Sequence, residues 1–168
     1  MKYNLGCGDK KIDGYVNVDV CGTPDVTCDL AVFPWPIESN SADEVFSEHF
    51  IEHVTDYEKT ILEMHRILKP GGVLHFKVPH FRSAAFPWHL HHYQFSSITC
   101  HLLCSKIPYQ FGGRQLFEQV ELKFNYLSAY GLRPFWRKIL SYLANRFKTK
   151  WEYFGLPIDE IEFTARKI

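Results

Sequence analysis

Short apolar runs separated by polar turns dominate the first half of the chain, and this pattern predicts β-strands. The polar breaks contain glycine, proline, asparagine and serine, which favour turns. Five such runs precede residue 80, at residues 2–5, 15–20, 25–30, 43–47 and 73–78. The last run is the best candidate for a buried strand, and Pro79 stops it.

Helical periodicity first occurs after the fourth run. Thr55 and Glu58 have the spacing of a capping box, so they predict a helix that begins there and ends at the turn of residues 69–72. A second helix is predicted from about Ser96 or Ser97 to Ser105, because serine can cap a helix. The apolar face of the first helix is Tyr57, Ile61, Met64 and Leu68.

Two late segments alternate strictly between apolar and polar residues, which predicts strands with one covered face. They are residues 118–126, with Val120, Leu122, Phe124 and Tyr126 apolar, and residues 160–166, with Ile161, Phe163 and Ala165 apolar. Between them, residues 134–150 predict a helix with Phe135, Ile139, Leu143 and Phe147 on one stripe. The order of elements predicts an α/β fold with an open, mostly parallel sheet and an antiparallel edge.

Size and composition narrow the class of protein. The 168 residues fit a single domain, 1–168, and are 46% hydrophobic and 23% charged. The net charge is zero, so nothing in the composition favours nucleic acid as a partner. Five cysteines without a Cys-x-x-Cys pair argue against a disulfide framework. With no apolar segment of membrane-spanning or signal-peptide type, we expect a cytoplasmic protein.

The turn after the first strand suggests a ligand site. Gly6 and Gly8 allow a sharp turn and a close approach of a ligand, and Asp19 follows the second strand. Ligands of open α/β sheets bind at the carboxyl ends of strands, and a carboxylate there can accept hydrogen bonds from ribose hydroxyls.

These features resemble the class I S-adenosylmethionine-dependent methyltransferases, in particular the small type-11-like group. The likeness is carried by residues 4–8 (Asn-Leu-Gly-Cys-Gly), Asp19, Asp29 with Leu30, residues 43–54 and residues 68–74. The resemblance implies a Rossmann-like, seven-stranded sheet whose last strand is antiparallel. It also implies S-adenosylmethionine as the cofactor, held mainly by residues 1–79.

Residue by residue, the resemblance assigns the cofactor's parts to separate segments. Its methionine and ribose would be wrapped by Gly6, Cys7 and Gly8, and its ribose hydroxyls held by Asp19. Val20, Asp29 and Leu30 would contact the adenine. Ser47, Glu48 and His49 would flank the sulfonium.

The chain departs from the family at three points. Asn4 stands where the family often has an acid, and Lys10 stands where it often has a third glycine. The helix that usually joins the first two strands has no room here. We therefore expect Lys10 to reach the cofactor's carboxylate as a point charge.

Methyl transfer to oxygen or nitrogen can require a base, and histidine suits that role near neutral pH. Residues 80–95 are rich in histidine and aromatic residues, and we expect them to shape the acceptor pocket. His80 is the first candidate base and His89 the second. The expected acceptor is a small molecule or a glycan-type compound.

Other interpretations stay open at this point. Residues 89–92 (His-Leu-His-His) resemble metal ligands, but the cysteines are not spaced to complete a zinc site, so we predict no metal. A dinucleotide dehydrogenase would need a third glycine opening into a helix. The competing class is a catalytically degenerate module of the same fold that binds a partner subunit. The basic 134–150 helix could also contact a membrane surface or an anionic substrate.

Overall fold

The computed structural model of the chain describes residues 1–83, 89–126 and 133–168. The strands are β1 (Lys2–Leu5), β2 (Val16–Asp19), β3 (Val26–Thr27), β4 (Ala42–Glu48), β5 (Leu68–Pro79), β6 (Phe117–Asn125) and β7 (Glu160–Lys167). The helices are α1 (Tyr57–Ile67), α2 (Ser97–Leu103), α3 (Pro134–Arg146) and α4 (Lys148–Phe154).

The seven strands form one sheet in the order β3-β2-β1-β4-β5-β7-β6. Strands β1 to β5 pair in parallel, whereas β7 runs antiparallel to both β5 and β6. The predicted mostly parallel α/β sheet with an antiparallel last strand is therefore confirmed.

One face of the sheet carries the core. Leu74, Phe76 and Val78 of β5 alternate with polar residues, and Ile161 and Phe163 continue the same face on β7. Burial of such apolar surface contributes about 25 cal/mol for each Å² and is the main stabilising contribution.

The opposite face of the sheet is polar and partly open to solvent. A row of alternating charge crosses four strands there, formed by Glu48, Lys77, Glu162 and Lys123. Opposite charges on neighbouring strands attract each other, which suits an uncovered face. The chain passes from β1 to β2 through a loop without a helix, so the helix missing from the sequence pattern is also missing from the structure.

Helix α1 begins one residue later than predicted. Asp56 is the N-cap, and its carboxylate accepts from the N–H of Lys59 at 3.0 Å. The predicted Thr55–Glu58 capping box is therefore wrong, because Asp56 offers the stronger acceptor at the adjoining position. The predicted cap of α2 is confirmed: Ser96 and Thr99 form a reciprocal capping box.

The predicted alternation of β6 fails at one position. Val120 is 51% exposed, although Leu122 and Phe124 are buried. A register irregularity between Gln119 and Glu121 explains the difference, since an extra residue in a strand reverses the side on which earlier residues point.

The predicted 134–150 helix is also different in the structure. It breaks at Phe147 into α3 and α4, and its apolar stripe is divided: Phe135 and Phe147 are 66% and 50% exposed, whereas Ile139 and Leu143 are half-buried. The buried residue of α3 is Ala144, and Asn145 donates to the carbonyl of Phe124 at 2.8 Å. The helix thus packs on β6 through its small and polar side.

None of the helices in the described ranges combines the length and the apolar character needed to cross a bilayer.

Candidate cofactor and acceptor site

The carboxyl ends of β2 and β3 open into a cavity of about 150 Å³. Four of the predicted cofactor residues line it together: Asp19, Val20, Asp29 and Leu30. The parallel register of β2 with β3, which pairs Asp19 with Thr27, brings these separate segments to one edge of the sheet.

Asp19 is tied closely to the surrounding backbone. One carboxylate oxygen accepts from the N–H of Gly8 at 2.7 Å, and the other accepts from those of Val20 and Cys21 at 2.6 and 3.0 Å. Partial burial alone would raise the pKa of Asp19, but these donors outweigh it, so the pKa is lowered. Asp19 is therefore ionised near neutral pH and holds the two turns in place.

Asp29 is less constrained and lies at the exposed rim of the cavity. One of its oxygens accepts from the N–H of Ala31 at 2.9 Å. The following Leu30 is buried, and its carbonyl accepts from the indole N–H of Trp35 at 3.0 Å. This contact fixes the loop that presents Asp29.

Gly6 lies directly beneath the ring of Phe50. A Cβ built at Gly6 would be 2.5 Å from Phe50 ring carbons, and the φ angle of Gly6 is +70°. Only glycine fits this contact. The ring covers the glycine turn on which the resemblance places the cofactor's methionine part.

A second, smaller cavity of about 80 Å³ lies on the other side of this turn, and Cys7, Lys10 and Glu48 are among its lining residues. The ammonium of Lys10 is 2.9 Å from Glu48 Oε1. Lys10 therefore lies where a cofactor carboxylate was expected, but it is already paired. Burial, followed by the charge of Asp19, raises the pKa of the Cys7 thiol.

The other residues predicted to flank the sulfonium, at the end of β4 and just after it, have different surroundings. Ser47 is fully buried in β4, where it pairs with Phe76 of β5. His49 is held between two carboxylates, with Nε2 3.2 Å from Glu160 Oε2 and Nδ1 3.1 Å from Glu52 Oε1. Hydrogen bonds to Glu160 and then Glu52 raise the pKa of His49 to about 9, so it is charged at neutral pH.

His80, the first candidate base, is fully buried. Its Nδ1 accepts from the N–H of Arg82 at 3.1 Å, and its Nε2 is 3.1 Å from Glu152 Oε1. Glu152 also accepts from the N–H of Ser97 at 2.7 Å. With both ring nitrogens occupied and no exposed surface, His80 does not reach an acceptor in this structure, which argues against its predicted role as a base; through Glu152 it is joined to α2 and α4.

His89, the second candidate, is exposed at the edge of the acceptor segment. Phe86 and Trp88, two aromatic residues of the segment expected to shape the acceptor pocket, lie outside the residues that the structure describes. Of the expected acceptor segment, Tyr93 packs against Tyr57 with ring centroids 5.4 Å apart, and its hydroxyl accepts from the Tyr57 N–H at 3.2 Å. The segment is thus fixed to the start of α1.

Two residues of this site were not found by sequence reasoning. Phe50 covers Gly6, and His53 lines the same cavity as Asp19 and Asp29. Both lie in residues 43–54, which carried the family likeness, but no spacing rule marks a phenylalanine as the cover of a distant glycine.

The described residues fit part of the cofactor. The cavity of about 150 Å³ is smaller than the roughly 300–1,000 Å³ of most small-molecule sites, so it has room for only part of the compound. The carboxylates of Asp19 and Asp29 suit ribose hydroxyls and an adenine amino group. Contact of the rest with Gly6 requires Phe50 to move.

Comparison with known proteins supports the same fold. Residues 13–76 match the methyltransferase domain family, a range that contains both carboxylates but not the glycine turn. None of the curated proteins matches the chain in sequence.

Solved structures match over almost the whole chain at low identity. An S-adenosylmethionine-dependent methyltransferase from Mesorhizobium loti is 14% identical, with a TM-score of 0.57, and the match covers 98% of this chain and 90% of that one. Phosphoethanolamine N-methyltransferase 2 from Haemonchus contortus, in complex with S-adenosyl-L-methionine, is 18% identical, with a TM-score of 0.59 and coverage of 99% and 48%. The cyclase SpnF is 15% identical, with a TM-score of 0.60 and coverage of 99% and 74%.

The strand order, the antiparallel last strand, the matched domain segment and these neighbours agree with one another. The chain therefore has the fold of the class I S-adenosylmethionine-dependent methyltransferases, and its residues 13–76 match their domain family.

Proposed function

We propose that this protein binds S-adenosylmethionine and transfers its methyl group to a small-molecule or glycan-type acceptor. The observation that supports this most is the convergence of Asp19 and Asp29 on one cavity at the carboxyl ends of β2 and β3. A fold alone does not define an activity, so the proposal depends on these side chains.

The chain's own residues would hold the nucleoside part. The Oδ1 of Asp19 already accepts from the N–H groups of Val20 and Cys21 and from the Cys21 thiol, whereas Oδ2 accepts from the Gly8 N–H, so a ribose hydroxyl would donate to Oδ2. Asp29 would accept from the adenine amino group, while Val20 and Leu30 provide apolar contact on either side.

When bound, S-adenosylmethionine supplies a methyl carbon attached to a positively charged sulfur. The protein's task is then to align the acceptor and to exclude water, and orientation of this kind contributes roughly 7–11 kcal/mol at best. We assign the proton-accepting role to His89, because His80 is enclosed. The space beside Gly8 is already open, and Gly6 becomes available to the cofactor when Phe50 turns away.

The binding proposal is tested with S-adenosylhomocysteine, which lacks the transferable methyl group. At a hundredfold excess over the dissociation constant, it should raise the free energy of unfolding by about 2.7 kcal/mol, which a thermal-shift assay detects. Asp29→Ala should bind about tenfold more weakly, because a hydrogen bond to a charged group is lost. Asp13→Ala, a change of an exposed acid in the β1–β2 loop, is the matched control.

The possible results distinguish a protein that does not bind the cofactor from one that binds it at a different place. No binding by the unaltered protein would reject the cofactor proposal. Equal affinity for Asp29→Ala and the unaltered protein would keep cofactor binding and reject this cavity as its place. Transfer of a labelled methyl group to hydroxylated small molecules or glycans then tests the acceptor class.

One observation favours the second candidate, a non-catalytic module that serves as a partner subunit. The Phe50 ring fills the position next to Gly6 that the cofactor needs. The fold also occurs in a protein named as a cyclase, so the fold alone does not require methyl transfer. If Phe50 is a permanent part of the core, the unaltered protein binds no S-adenosylhomocysteine, and the partner role is supported instead.

We also propose that the helical segment of α3 and α4 contacts an anionic membrane surface. Its exposed aromatic residues are Phe135, Trp136, Tyr142, Phe147, Tyr153 and Phe154. Residues 134–150 contain five basic residues and no acid. Exposed rings beside cations are typical of helices that lie in the headgroup region of a bilayer.

A further inference from the structure

Three side chains with metal-binding groups lie together beside the cofactor cavity. Glu52 and His53 belong to a 3₁₀ turn, Ile51–His53, that follows β4, and His91 lies in the segment after β5. Their ligand atoms are all within 4.8 Å of one another. His53 also lines the cavity of Asp19 and Asp29, so the cluster forms part of its wall.

The carboxylate of Glu52 is unusual in its surroundings. The residue is 1% exposed, and its Oε1 lies 3.1 Å from Nδ1 of His49. Its Oε2 is buried and has no hydrogen-bond partner among the residues that the structure describes. A buried carboxylate oxygen without a donor is costly, and a cation at this position would remove that cost.

The histidine beside it is oriented for a metal. The Nδ1 of His53 is 3.1 Å from the carbonyl oxygen of Leu90, so Nδ1–H donates there, and Nε2 faces the Glu52 carboxylate, 3.9 Å from its Oε1. Metal-binding histidines almost always donate their second ring nitrogen in this way. The ring of His91 meets that of His53 at 64°, with centroids 4.8 Å apart.

The backbone holds the two segments in this arrangement. The N–H of His92 donates to the carbonyl oxygen of Glu52 at 2.8 Å. This bond and the His53–Leu90 contact join the 3₁₀ turn to the segment after β5 on both sides of the cluster. The three ligands are therefore brought together by local structure rather than by chance rotamers.

Possible ligands also lie together in a second group, formed by Glu48, His49 and Glu160. The histidine of this group is not available to a metal. Both ring nitrogens of His49 are already bonded to carboxylates, of Glu52 and Glu160. This histidine has no lone pair to offer, so the neighbouring group is an ion-pair cluster.

We propose that Glu52, His53 and His91 bind a zinc-type divalent metal ion. One carboxylate and two imidazoles form a donor set that zinc accepts, with bonds of about 2.0–2.2 Å. Ligands on one ion are then at most roughly 4 Å apart, so small side-chain rotations close the present separation. Three protein ligands leave a coordination position for water or for an acceptor oxygen at the cavity wall.

This inference departs from the expectation of no metal that the sequence suggested. That expectation considered residues 89–92 as a group and the cysteines as their partners. The structure selects one histidine of that group and supplies the other ligands from the turn after β4. The proposal stands independently of methyl transfer, because the metal is tested without cofactor or acceptor.

The test is a titration of the metal-free protein with Zn²⁺ in competition with a chromophoric chelator. We expect one equivalent to bind, with a rise in melting temperature. We also expect Co²⁺ bound in its place to show the intense visible absorption of a four-coordinate site. Glu52→Gln and His91→Asn should each weaken binding by about tenfold or more and reduce the Co²⁺ band.

His92→Asn is the matched control, because its side chain is exposed on the same segment and only its backbone bonds to Glu52. It should bind Zn²⁺ as the unaltered protein does. Circular dichroism identifies any variant that fails to fold; His91→Asn, at a partly exposed position, keeps the test valid if Glu52→Gln does not fold. Binding of no stoichiometric metal, or binding equally strong in His91→Asn, would overturn the proposal.

Discussion

Phe50 decides how much of the cofactor site is accessible. Its ring lies against Gly6, while the nucleoside part of the cavity remains open on the side of Asp19 and Asp29. Sequence reasoning found the two carboxylates because strand ends in a parallel sheet meet at one edge. It did not find Phe50, because the contact joins residues that are distant along the chain and depends on a side-chain rotamer.

Substitution Phe50→Ala should therefore strengthen the binding of S-adenosylhomocysteine about three- to tenfold. The ligand no longer has to displace a ring whose burial contributes on the order of 1–2 kcal/mol. Isothermal titration calorimetry on both proteins measures the difference. Weaker binding by the variant would mean that the ring is a wall of the site and not its cover.

His80 shows a second limit of predicting the role of a single residue from the sequence. A histidine just after a central strand is a reasonable candidate base, and its position at the end of β5 was predictable. Its partners were not, since Glu152 comes from α4, far along the chain. Burial raises the pKa of Glu152, but the bonds from His80 and Ser97 outweigh this and lower it, so the carboxylate remains charged inside the core.

Among the elements, the sheet was the most predictable part and helix α3 the least. Strands β1, β4, β5 and β7 follow from apolar runs or alternation, since each depends on a local pattern. The stripe of α3 was recognised correctly as apolar, but periodicity does not say which side of a helix faces the core. Ala144 and Asn145 face β6 instead, and Phe135 is left exposed.

The exposed stripe has a testable consequence for membrane contact. The double variant Phe135→Ser, Trp136→Ser should sediment with phosphatidylglycerol-containing vesicles about tenfold less than the unaltered protein, because two apolar rings no longer enter the headgroup region. Binding should also weaken as salt is added.

Tyr109→Ser removes an exposed ring elsewhere on the surface and serves as the control. Pure phosphatidylcholine vesicles should bind neither protein strongly. Unchanged sedimentation of the double variant would contradict the membrane proposal.

For the whole molecule, one half-buried histidine links stability to pH. His65, near the end of α1, packs edge-on against Phe117 with centroids 5.4 Å apart. Burial first, and then the charges of Lys167 and Arg114, lower its pKa to about 4. In the unfolded chain this pKa is about 6.5. Between these values the unfolded state binds a proton that the folded state does not.

Stability should therefore decrease as the pH falls from about 6.5 to about 4. In His65→Gln, that decrease should be smaller, and urea unfolding at several pH values measures it. His101→Gln, at an exposed position of α2, should retain the full decrease. An identical pH dependence in His65→Gln and the unaltered protein would show that His65 is not the group responsible.

The position of β7 also has a consequence for the order of folding. This strand lies between β5 and β6, which do not pair with each other. Until residues 160–167 emerge from the ribosome, one edge of β5 is unpaired and β6 has no strand to pair with. A nascent chain shortened before Glu160 would expose both edges to intermolecular strand pairing, so we expect it to depend on chaperones or to aggregate.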